Sequence, residues 1–218
     1  YHLGWALLMQ DKTEAAYNAF YKSIWNDAWQ HAGYLNLARI ATLNKDYDAA
    51  LEFINKSLVK NHHSHSARHA RVFILRKRNQ YKKAQACIEE SLELDPFNFG
   101  CLFEKYILLI NEKKHEQTAN EVLDHLISIS RNNANNFVEY AFDYAYAGLY
   151  AEAIQFLSIF KINGKKNTLV EYYLGWFSFR MGNLQQAGEY FQQAAKLSPD
   201  FVFPNKIEDV VVLQKAIE

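Results

Sequence analysis

His62, His63, His65 and His69 fall within eight residues, and His65 and His69 stand four apart. A helix would bring those two imidazoles one turn apart on one face, a spacing that holds a divalent metal. No cysteine or carboxylate stands near them in the sequence, and Arg68 and Arg71 put positive charge where a cation would sit. The expectation is a polar loop and an exposed first helical turn, with no metal. Glu139 and Asp143 are also one helical turn apart, as carboxylates sharing acid–base work would be, but no motif places a nucleophile beside them. Cys87 and Cys101 are too few for a disulfide framework and read as small buried hydrophobes. The sequence contains no phosphate-cradling glycine loop, nucleophile elbow or zinc-protease signature. It therefore names no catalytic residue and no cofactor, and the expectation is a protein without enzymatic activity.

Arg68, Arg71, Arg76, Lys77, Arg78, Lys82 and Lys83 form a basic run with no acid before Glu89. Such a run either binds an anionic partner or is a solvated helix face, and the solvated face is the expectation. Over the whole chain 24 basic residues balance 24 acidic ones, so no global field recruits nucleic acid, and none is expected as a partner. Half of the residues are hydrophobic and 22% are charged, while 8 Gly and 3 Pro in 218 residues are few for a chain of strands and turns. An ordered, all-helical protein follows. No stretch reaches the roughly 18–20 apolar residues that span a bilayer, and no charged-then-apolar leader opens the chain. The chain begins at Tyr1 inside an apolar-periodic segment, as an excerpt of something longer would.

The elements that must position these residues are repeats. A small residue recurs at Ala16, Ala50, Ala84, Thr118, Ala153 and Ala187, with separations of 34, 34, 34, 35 and 34. Four residues after each stands Phe20, Ile54, Ile88, Val122, Leu157 or Phe191, and three before each stands Thr13, Tyr47, Tyr81, His115, Tyr150 or Leu184. Offsets of three and four share a helix face. A second amphipathic segment lies upstream of each, marked by Leu3-Gly4, Leu37-Ala38, Tyr140-Ala141 and Leu174-Gly175. Polar turns such as Asn44-Lys45-Asp46, Arg78-Asn79-Gln80 and Met181-Gly182-Asn183 join the two, and Pro96 and Pro199 fall where second helices should stop. The single extra residue is expected in Asn132-Asn133-Ala134-Asn135-Asn136, where Asn tolerates turn conformations.

A 34-residue helical hairpin with this spacing resembles the tetratricopeptide repeat, most closely through Leu174, Gly175, Gly182, Ala187, Phe191, Ala194 and Pro199. The resemblance covers nearly the whole chain. It implies an all-α, right-handed α-solenoid over residues 1–203, in six units: 1–30, 31–64, 65–98, 99–133, 134–167 and 168–201. The fourth departs furthest, with Lys105, Tyr106, His115, Thr118 and His125 in columns that are elsewhere small or apolar. Residues 204–218 break the register yet keep Ile207, Val210, Val211, Gln214 and Ile217 largely on one face, with Asn205 placed as an N-cap. They are expected to form a capping helix over Phe191 and Ala195 of the sixth unit. The stretch from Leu197 to Glu218 also resembles the end of the repeat segment in bacterial proteins where such units follow a β-rich, sugar-enzyme-like domain.

In the family the first helix of each pair lines a concave groove where peptides bind. Carried onto this chain, the inward columns give Arg39, Phe73, Phe103, Phe142, Tyr146, Tyr172, Trp176 and Phe179 as candidate binding residues, with Phe142 and Trp176 at equivalent places in adjoining units. Family members that grip a terminal carboxylate use a Lys/Asn/Lys/Arg set, of which only Asn36 is matched. The resemblance thus implies a non-catalytic protein–protein interaction scaffold whose partner is a protein, a peptide or a neighbouring domain of the same parent chain. The alternative is a structural or regulatory appendage of a carbohydrate-active enzyme.

Overall fold

A computed structural model describes residues 1–111, 115–131, 133–162, 164–200, 202 and 204–217. Every regular element among them is helical. The thirteen helices are α1 (His2–Leu8), α2 (Thr13–Ser23), α3 (Asp27–Leu43), α4 (Tyr47–Lys60), α5 (His65–Lys77), α6 (Tyr81–Leu94), α7 (Phe99–Asn111), α8 (Glu116–Ile129), α9 (Ala134–Tyr146), α10 (Tyr150–Ile159), α11 (Thr168–Arg180), α12 (Leu184–Ala195) and α13 (Ile207–Ile217). They gather into two compact units, one of Tyr1–Arg131 with Tyr146–Gly148, the other of Asn132–Ala145 with Leu149–Glu218.

One turn joins the helices of five pairs. A residue with positive φ (Asp11, Lys45, Asn79, Gly148 or Gly182) ends the first helix. The next residue (Lys12, Asp46, Gln80, Leu149 or Asn183) is the N-cap of the second. Its amide returns 2.9–3.0 Å to a carbonyl five residues back, for example Asp46 to Ala41 and Asn183 to Ser178. This is the Schellman closure, which satisfies orphan carbonyls while reversing the chain. Asp46 and Asn183 also accept backbone N–H groups of the helices they open, 3.1 Å from Ala49 and 3.2 Å from Gln186, as N-caps do.

That geometry fixes where the small residue stands, four after the N-cap. Ala16, Ala50, Ala84, Ala153 and Ala187 all occupy this place and are buried. In α8 the N-cap is His115, so the place falls on Ala119, which is 1% exposed, while Thr118 is exposed. The small column therefore runs through Ala119, and the expectation of Thr118 is corrected. The extra residue lies between Ala84 and Ala119, 35 apart, not in the Asn-rich stretch, since Ala119 and Ala153 are 34 apart. Val122 loses its column with it: the place four after Ala119 is Leu123, which is half-buried, while Leu126 is the buried large apolar residue of α8.

Glycine allows the first helix to lie close to the second. A Cβ on Gly175 would stand 2.5 Å from the Phe191 ring. Gly100 does the same between neighbouring pairs, where a Cβ would stand 2.4 Å from His69. The first unit keeps one core cluster around Ala16, Phe20, Leu37 and Ile40 and another around Val72, Leu75, Ala84, Ile88, Cys101 and Leu108. In the second unit Phe137 meets Phe156 at 5.5 Å between ring centres, and Val170, Leu174 and Phe177 are fully buried.

Candidate functional site

The histidines disperse. His65 Nε2 stands 2.9 Å from Asp95 Oδ2, a carboxylate that sequence proximity did not reveal. His62 meets the guanidinium of Arg68, and His69 is buried beneath Gly100 and edge-on to Phe73 at 5.3 Å. These contacts point the imidazoles to different partners, and among the described residues no three His, Cys, Asp or Glu side chains group as a metal site.

The basic run is largely tied up by acids from neighbouring helices. Arg68 is buried, and its Nη1 donates to Glu90 Oε1 at 3.1 Å, while Arg71 Nη2 donates to Glu90 Oε2 at 2.6 Å. Burial pushes the Glu90 carboxyl up, but Arg71 and Arg68 outweigh it and hold the group below the usual carboxylate range. Arg76 grips the fully buried Glu104 through two hydrogen bonds of 2.6 and 2.9 Å, the fork-to-fork geometry that favours arginine over lysine. Arg78 pairs with Asp48. Burial raises the Cys87 thiol and pushes Cys101 up to about 12, so neither is an activated nucleophile.

Five of the eight candidate binding residues are engaged inside their own units. Phe73 and Phe103 are fully buried, Phe103 stacking on Tyr106 at 5.9 Å, and the expectation that they line a groove is corrected to a core role. Arg39 is buried, donates to Asn36 Oδ1 at 3.2 Å, and lies 4.9 Å from the centre of the Tyr146 ring. Tyr146 in turn meets Trp5 edge-on at 4.9 Å. Phe142 is buried between α9 and α11, edge-on to Tyr173 at 4.8 Å and to Phe177 at 5.4 Å. It does not stand beside Trp176 on a shared surface, because aromatic partners on α11 draw it inward.

Tyr172, Trp176 and Phe179 remain half-buried on α11. Trp176 and Phe179 stack with centres 5.7 Å apart and planes 23° apart, and Tyr172 leans on Phe191 at 6.3 Å. The guanidinium of Arg180 lies 5.3 Å from the Trp176 ring centre and 5.4 Å from that of Tyr150, while Lys215 of α13 lies 4.7 Å from that of Phe179. Flat rings flanked by cations make a ledge suited to apolar and acidic groups of a ligand. In the first unit, Tyr17, Ile40, Phe53, Glu14 and Asp46 border a cavity of about 480 Å³, where burial, then Tyr21 and Asp46, raise the Tyr17 hydroxyl.

The last helix lies against the first helix of the sixth unit. Its amino end is closed by the Asp209 carboxylate, whose Oδ2 accepts N–H groups of Asn205 at 2.7 Å and Lys206 at 2.9 Å, so Asp209 does the capping expected of Asn205. The Tyr173 hydroxyl donates to the other oxygen of Asp209, and Lys206 pairs with Glu139. α13 thus packs on α11, and Ala195, which it was expected to cover, stays exposed.

Paired helices, the repeated Schellman turn and the small-residue column define a helical-repeat protein. Sequence models of the tetratricopeptide repeat match residues 31–58, 65–98 and 169–201, so the chain carries tetratricopeptide repeats. Among solved structures, Pseudomonas aeruginosa pilF is similar at 18% identity, covering 98% of this chain and 95% of its own, with a TM-score of 0.54. PilW, a type IV pilus biogenesis factor, is similar at 18% identity over 97% of this chain and 96% of its own, TM-score 0.54. A tetratricopeptide repeat protein from Parabacteroides merdae aligns at 17% identity over 100% of this chain and 82% of its own, TM-score 0.53. At these identities the likeness is one of fold. No curated protein matches the sequence. The matches give no support to the resemblance to repeats that follow a β-rich, sugar-enzyme-like domain. No described helix is long and apolar enough to cross a membrane.

Proposed function

We propose that the protein is a non-catalytic scaffold that recognises a peptide or helix of a partner protein on the α11 ledge formed by Tyr172, Trp176 and Phe179. One observation carries this reading. Two large aromatic rings stack on each other while remaining half-exposed, with cations over both, whereas Phe73, Phe103 and Phe142 are drawn into the core. Large rigid rings offer much apolar contact at little entropic cost, and a few such anchors usually dominate an interface. Neutralisation of the basic run by Glu90, Glu104 and Asp48 supports a protein partner over a polyanion. Arg39 and Tyr146, committed to Asn36, Trp5 and each other, fall outside it.

Selecting displayed random peptides on the immobilised protein tests the reading. Trp176→Ala is expected to weaken selected peptides by about thirtyfold, the equivalent of ~2 kcal/mol. A thermal melt of the same variant separates lost binding from lost folding. Selected peptides that bind Trp176→Ala and Phe179→Ala as tightly as the parent, with both variants folded, would overturn it.

A further inference from the structure

We propose that α13 is a built-in occupant of the α11 face, and that the external partner this face takes is a short amphipathic helix repeating the contact pattern of α13: an acid in the first turn, an apolar residue three further on, and a cation three beyond that. The proposal rests on the reading of α11 as a recognition surface. In α13 the three positions are Asp209, Val212 and Lys215. Asp209 is 2% exposed, and its carboxylate is shared between the Tyr173 hydroxyl and the two amides that begin the helix. It therefore ties the fold of α13 to its docking: the helix start and the Tyr173 contact use the same group. Val212 is 1% exposed, and Lys215 reaches the Phe179 ring.

Three large apolar side chains of α13 stay in solvent. Ile207 is 52%, Val210 63% and Ile217 88% exposed, so Val212 is the one apolar side chain of the helix that is fully covered. Val211, Leu213 and Ala216 are half-buried, and the contacts that fix the register of the helix are those of Asp209, Val212 and Lys215, which another helix with the same three residues would reproduce. Charge complementarity specifies the competitor. The face presents a hydroxyl donor at Tyr173, an apolar seat for Val212 and a ring at Phe179 that attracts a cation, which together call for an acid-apolar-cation order along the helix.

The test uses a fluorescent synthetic peptide of residues 204–217 as the probe, against the full chain and the chain ending at residue 203. Saturable binding to the truncated chain, and at least tenfold weaker binding to the full chain, are expected. Asp209→Ala in the peptide should abolish the anisotropy change. A truncated chain that keeps its helical circular dichroism and a cooperative melt yet ignores the peptide overturns the proposal, as does equal binding to both chains. Should the truncated chain fail to fold, Asp209→Ala in the full chain serves instead. It should loosen the resident helix and raise affinity for the wild-type peptide at least tenfold, and an unchanged affinity overturns the proposal. Trp176→Ala in the truncated chain separates the two readings. Peptide binding that survives it upholds α13 as the occupant, since its contacts run through Tyr173 and Phe179, and the library selection alone then decides the part of Trp176, whereas failure of the peptide arm leaves that selection standing by itself.

Discussion

Substituting leucine at Ala119 adds an isopropyl group at a position that is 1% exposed and stands four residues after the α8 N-cap. At that place the small side chain sits against a neighbouring helix, so the added carbons must displace packed atoms. Overpacking of this kind costs ~1–3 kcal/mol. At about 2–4 °C per kcal/mol for a chain of this size, Ala119→Leu should melt roughly 2–12 °C below the parent. Thr118→Leu is the matched control. Thr118 is exposed, and substitutions at such sites usually stay within about 0.5 kcal/mol. Helix propensity falls slightly for Ala→Leu and rises for Thr→Leu, each by a few tenths of a kcal/mol, so a difference of more than about 1 kcal/mol between the two variants reports burial. Thermal melts followed by circular dichroism, with urea midpoints as a second measure, give the comparison. A larger loss from Thr118→Leu than from Ala119→Leu would place the buried column on Thr118 and refute the argument from the N-cap.

Arg76→Ala should destabilise the first unit by ~3–5 kcal/mol, because it strands the fully buried Glu104 carboxylate without its bidentate partner; replacing both residues with apolar ones should restore most of the loss in urea melts, and a single-variant loss below about 1 kcal/mol would contradict that role. A disulfide-exchange reagent at pH 8 should leave Cys101 unmodified until denaturant is added, since burial pushes its thiol up to about 12, and rapid reaction of two thiols in the native protein would be the contrary result.

The hairpin architecture was legible because it repeats a local rule in five described turns. Ala16, Ala50 and Ala84 recur at a fixed period, and the turn residues Lys45-Asp46, Asn79-Gln80 and Gly182-Asn183 supply the left-handed residue and the cap that the reversal needs. The slip in α8 was not legible. Thr118 and Ala119 are adjacent and both small, and only the position of the cap decides between them. The recognition surface was legible in part. The inward columns that the resemblance implies include Phe73, Phe103, Phe142, Trp176 and Phe179 alike, yet burial among them depends on partners: Phe142 meets Tyr173 and Phe177, while the stacked Trp176 and Phe179 stay half-exposed. The destination of α13 turns on one hydroxyl–carboxylate pair 36 residues apart, for which no local pattern exists.

The basic run shows why distance along the chain misleads in such a fold. Read locally, Arg68 to Lys83 contains no acid, and it resembles a surface awaiting an anion. Its partners lie elsewhere in the period: Arg71 reaches Glu90 across 19 residues, Arg68 the same carboxylate across 22 and Arg76 Glu104 across 28. The same holds for His65 and Asp95, 30 apart, and for Lys60 and Asp27, 33 apart. Stacked helical pairs bring residues nearly one repeat apart into contact, because each repeat packs on its neighbour. Charge in a repeat protein is therefore balanced between adjacent units, and a cluster of one sign marks a binding surface only when the neighbouring helices bring no opposite charge to it.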